Sequence, residues 1–139
     1  MRRRVAGARK IPTLVVFERE AFTLRGIYAS GGIGFIHDML DAAGGANIFA
    51  DVKRQAVQAT SELILARRPE LIIELRSSVR TEADRRRELA SWNTLAALPA
   101  VRTKRLFLFS DQRMSIAGPR LGEVVEILGR TIHPELFAH

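Results

Sequence analysis

Residues 61–75 read SELILARRPELIIEL, and this stretch decides the fold class of the chain. Its first half places three apolar side chains on one side of a short helix that Thr60 or Ser61 can cap. Pro69 ends that helix, because the residue before a proline is pushed out of the helical region. The second half, Leu71–Leu75, is a short apolar run with one acid, a pattern typical of a buried strand. A helix followed by a buried strand is half of a repeating α/β unit.

The same alternation continues on both sides of this stretch. Two further apolar runs, Thr13–Phe17 and Leu106–Phe109, indicate buried strands. Helices fill the intervals between the strands. One begins at Phe35, a charged one is capped by Thr81 and is expected on the outside, and the last begins at Gly118-Pro119.

Continuous apolar strands that alternate with helices are typical of a parallel sheet with both faces covered. We therefore expect a single α/β domain over residues 1–139, with three layers and a mostly parallel central sheet of about four strands. The fourth strand is expected to be short and to lie between the first two helices. Residues 18–32 are expected to form a long polar and glycine-rich loop.

Composition narrows the classes of function. The 139 residues include no cysteine, which excludes disulfides, zinc sites with cysteine ligands and thiol catalysis. The apolar runs are too short to span a bilayer, and the basic N-terminus lacks the apolar segment of a signal peptide. The net charge of +7 comes from scattered basic clusters, which favour acidic partners or form a solvated surface.

Three loops leave the carboxyl ends of the predicted strands, where ligands bind in open α/β sheets. These loops span residues 18–32, 76–78 and 110–117. The candidate ligand-binding residues in them are Arg19, Arg25, Tyr28, Arg76, Asp111 and Arg113.

Each of these residue types suits a ligand but also has an ordinary structural use. Arginine offers a planar fork to carboxylate or phosphate, and a tyrosine ring can stack on a macrocycle or ligate iron. The alternative is that Tyr28 packs where its loop folds onto the sheet, that Asp111 forms a turn and that the arginines face solvent. Trp92, the sole tryptophan, is expected to anchor its helix to the core rather than to touch ligand.

The sequence predicts neither a metal site nor a catalytic one. His37 and Asp41 lie four residues apart on one helix, but two ligands without a third do not make a site. The glycines at 31, 32 and 34 precede a helix, yet their spacing and the long loop before them do not match a dinucleotide fingerprint. Because no nucleophile elbow or acid/base pair is visible, we expect neither enzyme activity nor a cofactor.

Five segments in order resemble the C-terminal lobe of the class III periplasmic substrate-binding proteins, which bind cobalamin, haem and iron siderophores for ABC importers. The resemblance covers residues 12–135 and no single segment carries it alone. The segments are Gly26–Gly32, Phe35–Asp51, Ser61–Ile73, Trp92–Phe109 with its basic turn, and Gly118–Arg120.

The resemblance implies a Rossmann-like lobe that contributes half of a cleft for a metal chelate or a corrinoid. In that family, two such lobes are joined by one long helix and clamp the ligand between them with little hinge motion. Residues 1–8 resemble the end of that helix, so the N-terminal lobe is expected to be missing from this chain. Lys53–Gln55 fall in a cleft-edge loop, although an aromatic residue that some relatives place nearby is replaced by Ala56.

The resemblance also implies partners and a location. Glu62 matches an exposed glutamate that docks onto arginines of the membrane permease, although an acid in a first helical turn also favours the helix dipole. The full-length parent would be periplasmic or lipid-anchored outside the cytoplasm. A lone lobe leaves the face toward its missing partner open, so a homodimer is a further expectation.

A function of another class rests on charge alone. A small basic α/β domain could bind nucleic acid through its arginine clusters, and retention on DNA or RNA would then weaken with salt. This alternative ranks below the binding-protein hypothesis, because the basic clusters are scattered and interleaved with acids.

Overall fold

The computed structural model describes residues 9–76, 78–110 and 121–136. Its strands are β1 (Ile11–Glu18), β2 (Ile27–Ser30), β3 (Gly45–Asn47), β4 (Ala56–Ala59), β5 (Leu71–Leu75) and β6 (Leu106–Phe109). Its helices are α1 (Phe35–Ala42), α2 (Ser61–Arg67), α3 (Glu82–Ala90), α4 (Pro99–Arg102) and α5 (Leu121–Ile132). Two 3₁₀ turns, Ser91–Leu95 and Pro134–Leu136, complete the described elements.

The six strands form one sheet in the order β4-β2-β1-β5-β6, with β3 also paired to β1. The pairs of β1 with β3, β1 with β5, and β5 with β6 are parallel. The pairs of β1 with β2 and β2 with β4 are antiparallel. The sheet is therefore parallel at its centre and continues as an antiparallel meander toward β4.

Two apolar cores lie on opposite faces of this sheet. One contains Leu14, Ile72 and Trp92 and is covered by α2, α4 and the first 3₁₀ turn. The other contains Val15 and Ile73 and is covered by α1 and α5. Alternate residues of each strand feed the two cores, since successive side chains of a strand point to opposite faces. The expected three-layer α/β fold with helices on both faces is confirmed.

Local signals set several helix boundaries as predicted. The Thr60 hydroxyl oxygen accepts the N–H of Leu63 at 3.1 Å, and Thr81 accepts the N–H of Asp84 at 3.1 Å. Each interaction satisfies an otherwise unpaired amide of a first helical turn. Helix α2 ends at Arg67, and the residue after it, Arg68, has a left-handed backbone (φ 48°) directly before Pro69.

The strand prediction was incomplete in the two connections. Residues 18–32 contain β2, which the sequence analysis treated as loop, and residues 46–58 contain most of β3 and β4 instead of one short strand. These strands are three or four residues long. β2 and β4 contain small and polar residues because they form the antiparallel side of the sheet. Their pairing, rather than their composition, makes them strands.

Some expectations concern parts of the chain outside the described residues. These are the helical assignment of residues 1–8, most of the exit loop 110–117 and the start of the last helix at Gly118-Pro119. Within the described residues, none of the helices combines the length and the apolar character needed to cross a membrane.

Candidate functional site

An apolar pocket of about 490 Å³ opens at the carboxyl ends of β1 and β5, beside the N-terminus of α1. This is the edge of the sheet at which α/β proteins bind ligands. The pocket is lined by Phe17, Ser30, Ile33, Gly34, Phe35, Ile36, Gln55, Ala56 and Leu75. We refer to it below as the apolar pocket.

The lining of the apolar pocket suits an uncharged, extended ligand surface. Five of its nine residues are large and apolar, two of them phenylalanines, and Ser30 and Gln55 supply its polar side chains. Ile33 remains 44% exposed at its rim. Exposed apolar side chains around a concavity mark a binding site, since burying them against a ligand is favourable.

Two glycines hold one wall of the pocket by close backbone contact. The N–H of Gly31 donates to the Gln55 carbonyl at 3.1 Å, and the N–H of Gly32 donates to the Val52 carbonyl at 2.7 Å. A Cβ at Gly32 would lie 2.1 Å from the Ala50 carbonyl oxygen. These glycines therefore permit the 31–34 and 50–55 segments to pack together, a structural use in place of a phosphate cradle.

Tyr28 lies on the same face of the sheet as the apolar pocket. It pairs with Gln58 across β2 and β4, and Ser30, two residues on, pairs with Ala56. Because residues opposite one another share a face, the Tyr28 ring extends the surface that Ser30 and Ala56 line. Tyr28 is 43% exposed, although it does not itself line the pocket.

Two of the predicted ligand-binding arginines are buried in the protein interior, which corrects the prediction for Arg19 and Arg76. Arg19 donates from Nε and Nη2 to the two carboxylate oxygens of Glu74 at 2.7 and 3.0 Å. Arg76 donates from Nη2 to Glu88 Oε2 at 2.9 Å. Because the side chain of Arg19 is fully buried and that of Arg76 is 5% exposed, neither is placed to reach a ligand.

These four residues, Arg19, Glu74, Arg76 and Glu88, form what we call the buried ion network. Glu88 was expected on the outer face of α3 with its charged neighbours, but it points inward and is 2% exposed. Trp92, as expected, anchors its segment: its Nε1–H donates to Glu74 at 3.1 Å and its ring lies 5.3 Å from the Arg19 guanidinium carbon. The network balances two positive with two negative charges, which makes their burial tolerable.

The buried ion network fastens the loop after β1 to α3. Arg19 Nη1 donates to the Thr23 carbonyl at 2.6 Å, and the N–H of Phe22 donates to Glu88 Oε1 at 3.0 Å. Phe22 has a left-handed backbone (φ 60°), which is strained for a bulky residue, and its ring stacks under Arg87 at 3.9 Å. The network thus fixes a loop beside the candidate site instead of contacting ligand.

The buried ion network should make the unfolding free energy of the protein fall at acidic pH. Burial acts to raise the pKa of the Glu88 carboxyl, but hydrogen bonds from Arg76 and Phe22 and the charges of Arg19 and Arg76 outweigh it and lower the pKa. The carboxylate therefore stabilises the fold above its ordinary value of 4.5, and this contribution is lost as pH falls further toward the folded pKa. We expect the unfolding free energy from urea titrations to fall in that range by up to about 1.4 kcal/mol per pH unit from this group.

The variant Glu88→Gln isolates the contribution of this carboxyl. It removes the titrating group while keeping the side-chain shape, so its unfolding free energy should decline less steeply below pH 4.5 than that of the unchanged chain. Equal slopes for the two proteins would show that Glu88 does not titrate differently on folding.

The remaining predicted site residues are not brought into the apolar pocket. Arg25 is exposed and lines a separate depression of about 380 Å³ with Phe22 and Thr94. Asp111 and Arg113 lie outside the described residues. Lys53 and Arg54 are exposed on the segment that supplies Gln55 to the pocket wall.

The two histidines in the described part of the chain contact other groups of the fold. His37 Nδ1 lies 3.2 Å from the Asn47 amide nitrogen, and Asp41 forms an ion pair with Lys10. His133 Nε2 lies 3.1 Å from the Gly44 carbonyl oxygen. In the described ranges, no three histidine, aspartate or glutamate side chains come together as metal ligands.

Sequence reasoning missed the apolar lining. Phe17 and Leu75 were assigned to buried strands and Phe35 to the start of a helix. Leu75 is the last residue of β5, Phe17 is the last but one of β1, and Phe35 is the first of α1. A usable signal was therefore present: large apolar residues at the last positions of parallel strands meet at the ligand-binding edge of a sheet.

We compared the chain with protein families and with curated protein sequences. A family model described as "Periplasmic binding protein" matches residues 2–112 of the chain. No curated protein sequence matches significantly.

Solved structures resemble the chain over nearly its whole length. An ABC-type Fe³⁺-hydroxamate transport system from Saccharomonospora viridis is 26% identical, with a TM-score of 0.69 over 99% of this chain and 47% of that one. An ABC transporter substrate-binding protein from Listeria monocytogenes gives 16% identity and a TM-score of 0.81 over 96% and 51%. The periplasmic vitamin B12 binding protein of Vibrio cholerae is 19% identical, with a TM-score of 0.74 over 99% of this chain and 49% of that one. At these two lower identities the likeness shows the fold, and the chain spans about half of each of the three structures.

Proposed function

Because this chain belongs to the periplasmic binding protein family, we propose that it acts as one lobe, the C-terminal one, of an ABC importer's substrate-binding protein. The apolar pocket is then its half of the ligand cleft. The observation that carries this proposal is the position of the pocket, at the carboxyl ends of the central strands and with an exposed apolar rim. The role is binding and delivery instead of catalysis.

The ligand we propose is a metal chelate or a corrinoid: cobalamin, haem or a ferric siderophore. Matched structures carry names that include vitamin B12 and Fe³⁺-hydroxamate. The apolar pocket supports a ligand with a broad apolar face, and Tyr28 extends that surface with an aromatic ring on the same side of the sheet. We also propose that polar contacts at the edge of the cleft come from Arg25, Asp111 and Arg113.

The partner on the membrane side is the importer's permease, and Glu62 is the residue we propose for docking. Glu62 lies in the first turn of α2 and is exposed. Thr60 already caps that helix, so the carboxylate of Glu62 is not needed for capping. A carboxylate on a rigid helix suits charge-assisted pairing with arginine. The parent protein would work in the periplasm or anchored outside the cytoplasm, with an N-terminal lobe closing the cleft.

The experiment is a ligand titration of this chain with a matched pair of surface variants. Cyanocobalamin, haemin and ferrichrome are each titrated by calorimetry, and one of them should bind weakly, since half a cleft gives partial burial. Ile33→Asp places a charge in the apolar rim and should weaken that binding by about tenfold or more, since burying an isoleucine contributes about 1.5–3 kcal/mol.

Leu65→Asp provides the control. Leu65 is 37% exposed on α2 and does not line the apolar pocket, so its replacement makes the same chemical change at a similarly exposed site. Ligand affinity should stay within about twofold of the unchanged chain, and Glu62→Gln should likewise retain ligand while weakening capture by the permease. Equal losses in the Ile33 and Leu65 variants, or no binding of any of the three ligands, would argue against the pocket as a cleft.

A further inference from the structure

A second, polar pocket of about 480 Å³ lies where β5 and β6 begin, at the end of the sheet opposite the apolar pocket. We call it the basal pocket; it is lined by Arg68, Glu70, Pro99, Thr103 and Arg105. Two connecting segments build it, because the N–H of Ala100 donates to the Pro69 carbonyl at 3.2 Å. The proposed ligand cleft and the permease-docking residue leave this pocket unused.

The basal pocket has cations on its wall and on the residues next to it in the chain. Arg68 is exposed on its wall, and exposed Arg102 and Lys104 flank Thr103 in the chain. Across residues 9–76, 78–110 and 121–136, these three side chains have no acidic partner. Unpaired cations around one concavity create a local potential that attracts anions.

The acid in the pocket is already neutralised. Glu70 accepts two hydrogen bonds from Arg9, at 2.9 and 2.5 Å. This pairing is the main reason that the pKa of the Glu70 carboxyl is lowered. Arg105 is held in place, because its Nη2 donates to the carbonyls of Thr131 and Ile132 at 3.1 and 2.8 Å. Among the residues that the structure describes, Arg68, Arg102 and Lys104 therefore keep a charge excess on the pocket wall and beside Thr103.

The backbone presents two of these cations in an unusual way. Arg68 and Lys104 both have left-handed backbones, with φ of 48° and 59°. Positions of this kind after a helix are usually glycine or asparagine, because other residues are strained there. A long cationic side chain at both positions points to a use for the charge itself.

We propose that the basal pocket binds a phosphate group, either free or carried by a lipid headgroup. Arginine suits this ligand because its guanidinium offers a planar pair of donors to phosphate oxygens, and Lys104 adds a compact charge. The site lies at the far end of the sheet from the apolar pocket, so its occupation would leave the proposed cleft open. This inference stands independently of the proposed transport function.

The test uses two probes and a charge-removing variant. Inorganic phosphate is titrated by NMR, and vesicles containing phosphatidylglycerol are compared with pure phosphatidylcholine vesicles by co-sedimentation. The triple variant R68N/R102Q/K104N removes three charges, and asparagine tolerates the left-handed backbone at 68 and 104. We expect phosphate affinity to fall by about tenfold, and vesicle binding, where it occurs, on the order of a hundredfold.

The control triple R80Q/R85Q/R86Q removes the same number of charges from α3 and the segment before it, none of them lining the basal pocket, and should bind phosphate as the unchanged chain does. The single variant R102Q, at an exposed position, guards against misfolding of the triple variant. Binding of phosphate alone identifies a free anion as the ligand, and binding of both probes identifies a lipid headgroup. The proposal is overturned by absence of both or by equal loss in the two triple variants.

Discussion

Replacing Glu74 with alanine is expected to lower the unfolding free energy by about 3–5 kcal/mol. Glu74 is fully buried and accepts hydrogen bonds from Arg19 and Trp92, so its loss leaves the Arg19 guanidinium in the interior with half of its compensation. A buried charge without its partner costs far more than an exposed ion pair contributes. The expected loss is a large share of the roughly 5–15 kcal/mol that stabilises a typical domain.

Urea denaturation followed by circular dichroism measures this loss, with two comparisons. Glu62→Ala removes an exposed carboxylate and should change stability by no more than about 0.5 kcal/mol. The double variant Arg19→Met/Glu74→Met replaces both buried charges and should be markedly more stable than Glu74→Ala, since no uncompensated pair member remains. A Glu74→Ala variant as stable as Glu62→Ala would contradict the buried ion network.

Replacing Gly32 with alanine should destabilise the protein by about 2–3 kcal/mol. The new Cβ would lie 2.1 Å from the Ala50 carbonyl oxygen and 2.7 Å from its carbonyl carbon, and both are backbone atoms that cannot rotate away. The 50–55 segment must therefore shift, and it carries Gln55 of the apolar pocket. The same variant should weaken binding of whichever ligand the calorimetric titrations identify.

Gly26→Ala provides the matched control for this steric effect. At Gly26 the added Cβ meets only the Glu20 nitrogen at 4.0 Å, so the change adds left-handed strain (φ 61°) without overlap. That strain is worth about 1 kcal/mol. Thermal melts of both variants test this steric effect. Equal destabilisation would mean that the backbone around Gly32 shifts to accommodate the added Cβ at no energetic cost.

The central strands and the helix caps could be predicted because their signals are local. Leu71–Leu75 is apolar except for Glu74 since both of its faces are buried, and Thr60 and Thr81 are residues that commonly cap helices. Strands β2 and β4 were missed because residues such as Tyr28 and Gln58 face outward, which leaves only two or three inward positions to form a pattern.

The buried ion network could not be predicted because its partners are far apart in sequence. Arg19 and Glu74 are separated by 55 residues, and Arg76 bonds a carboxylate on a helix that looks wholly exposed in sequence. A cation after a strand fits a ligand contact equally well until its acid is located in space. Glu88 could be placed only by the fold, because it follows three arginines, at positions 85–87, on the charged helix α3.

Strand β1 pairs with β2, β3 and β5, and all three follow it in the chain. During synthesis β1 leaves the ribosome before any of these partners, and the sheet cannot close around it until Leu71–Leu75 has emerged. Contacts between such distant segments slow folding, because loop-closure entropy must be overcome before the contacts form. The edge of β1 that pairs with β5 thus stays unpaired while residues 19–75 are being made, and an unpaired strand edge of this kind is prone to aggregate.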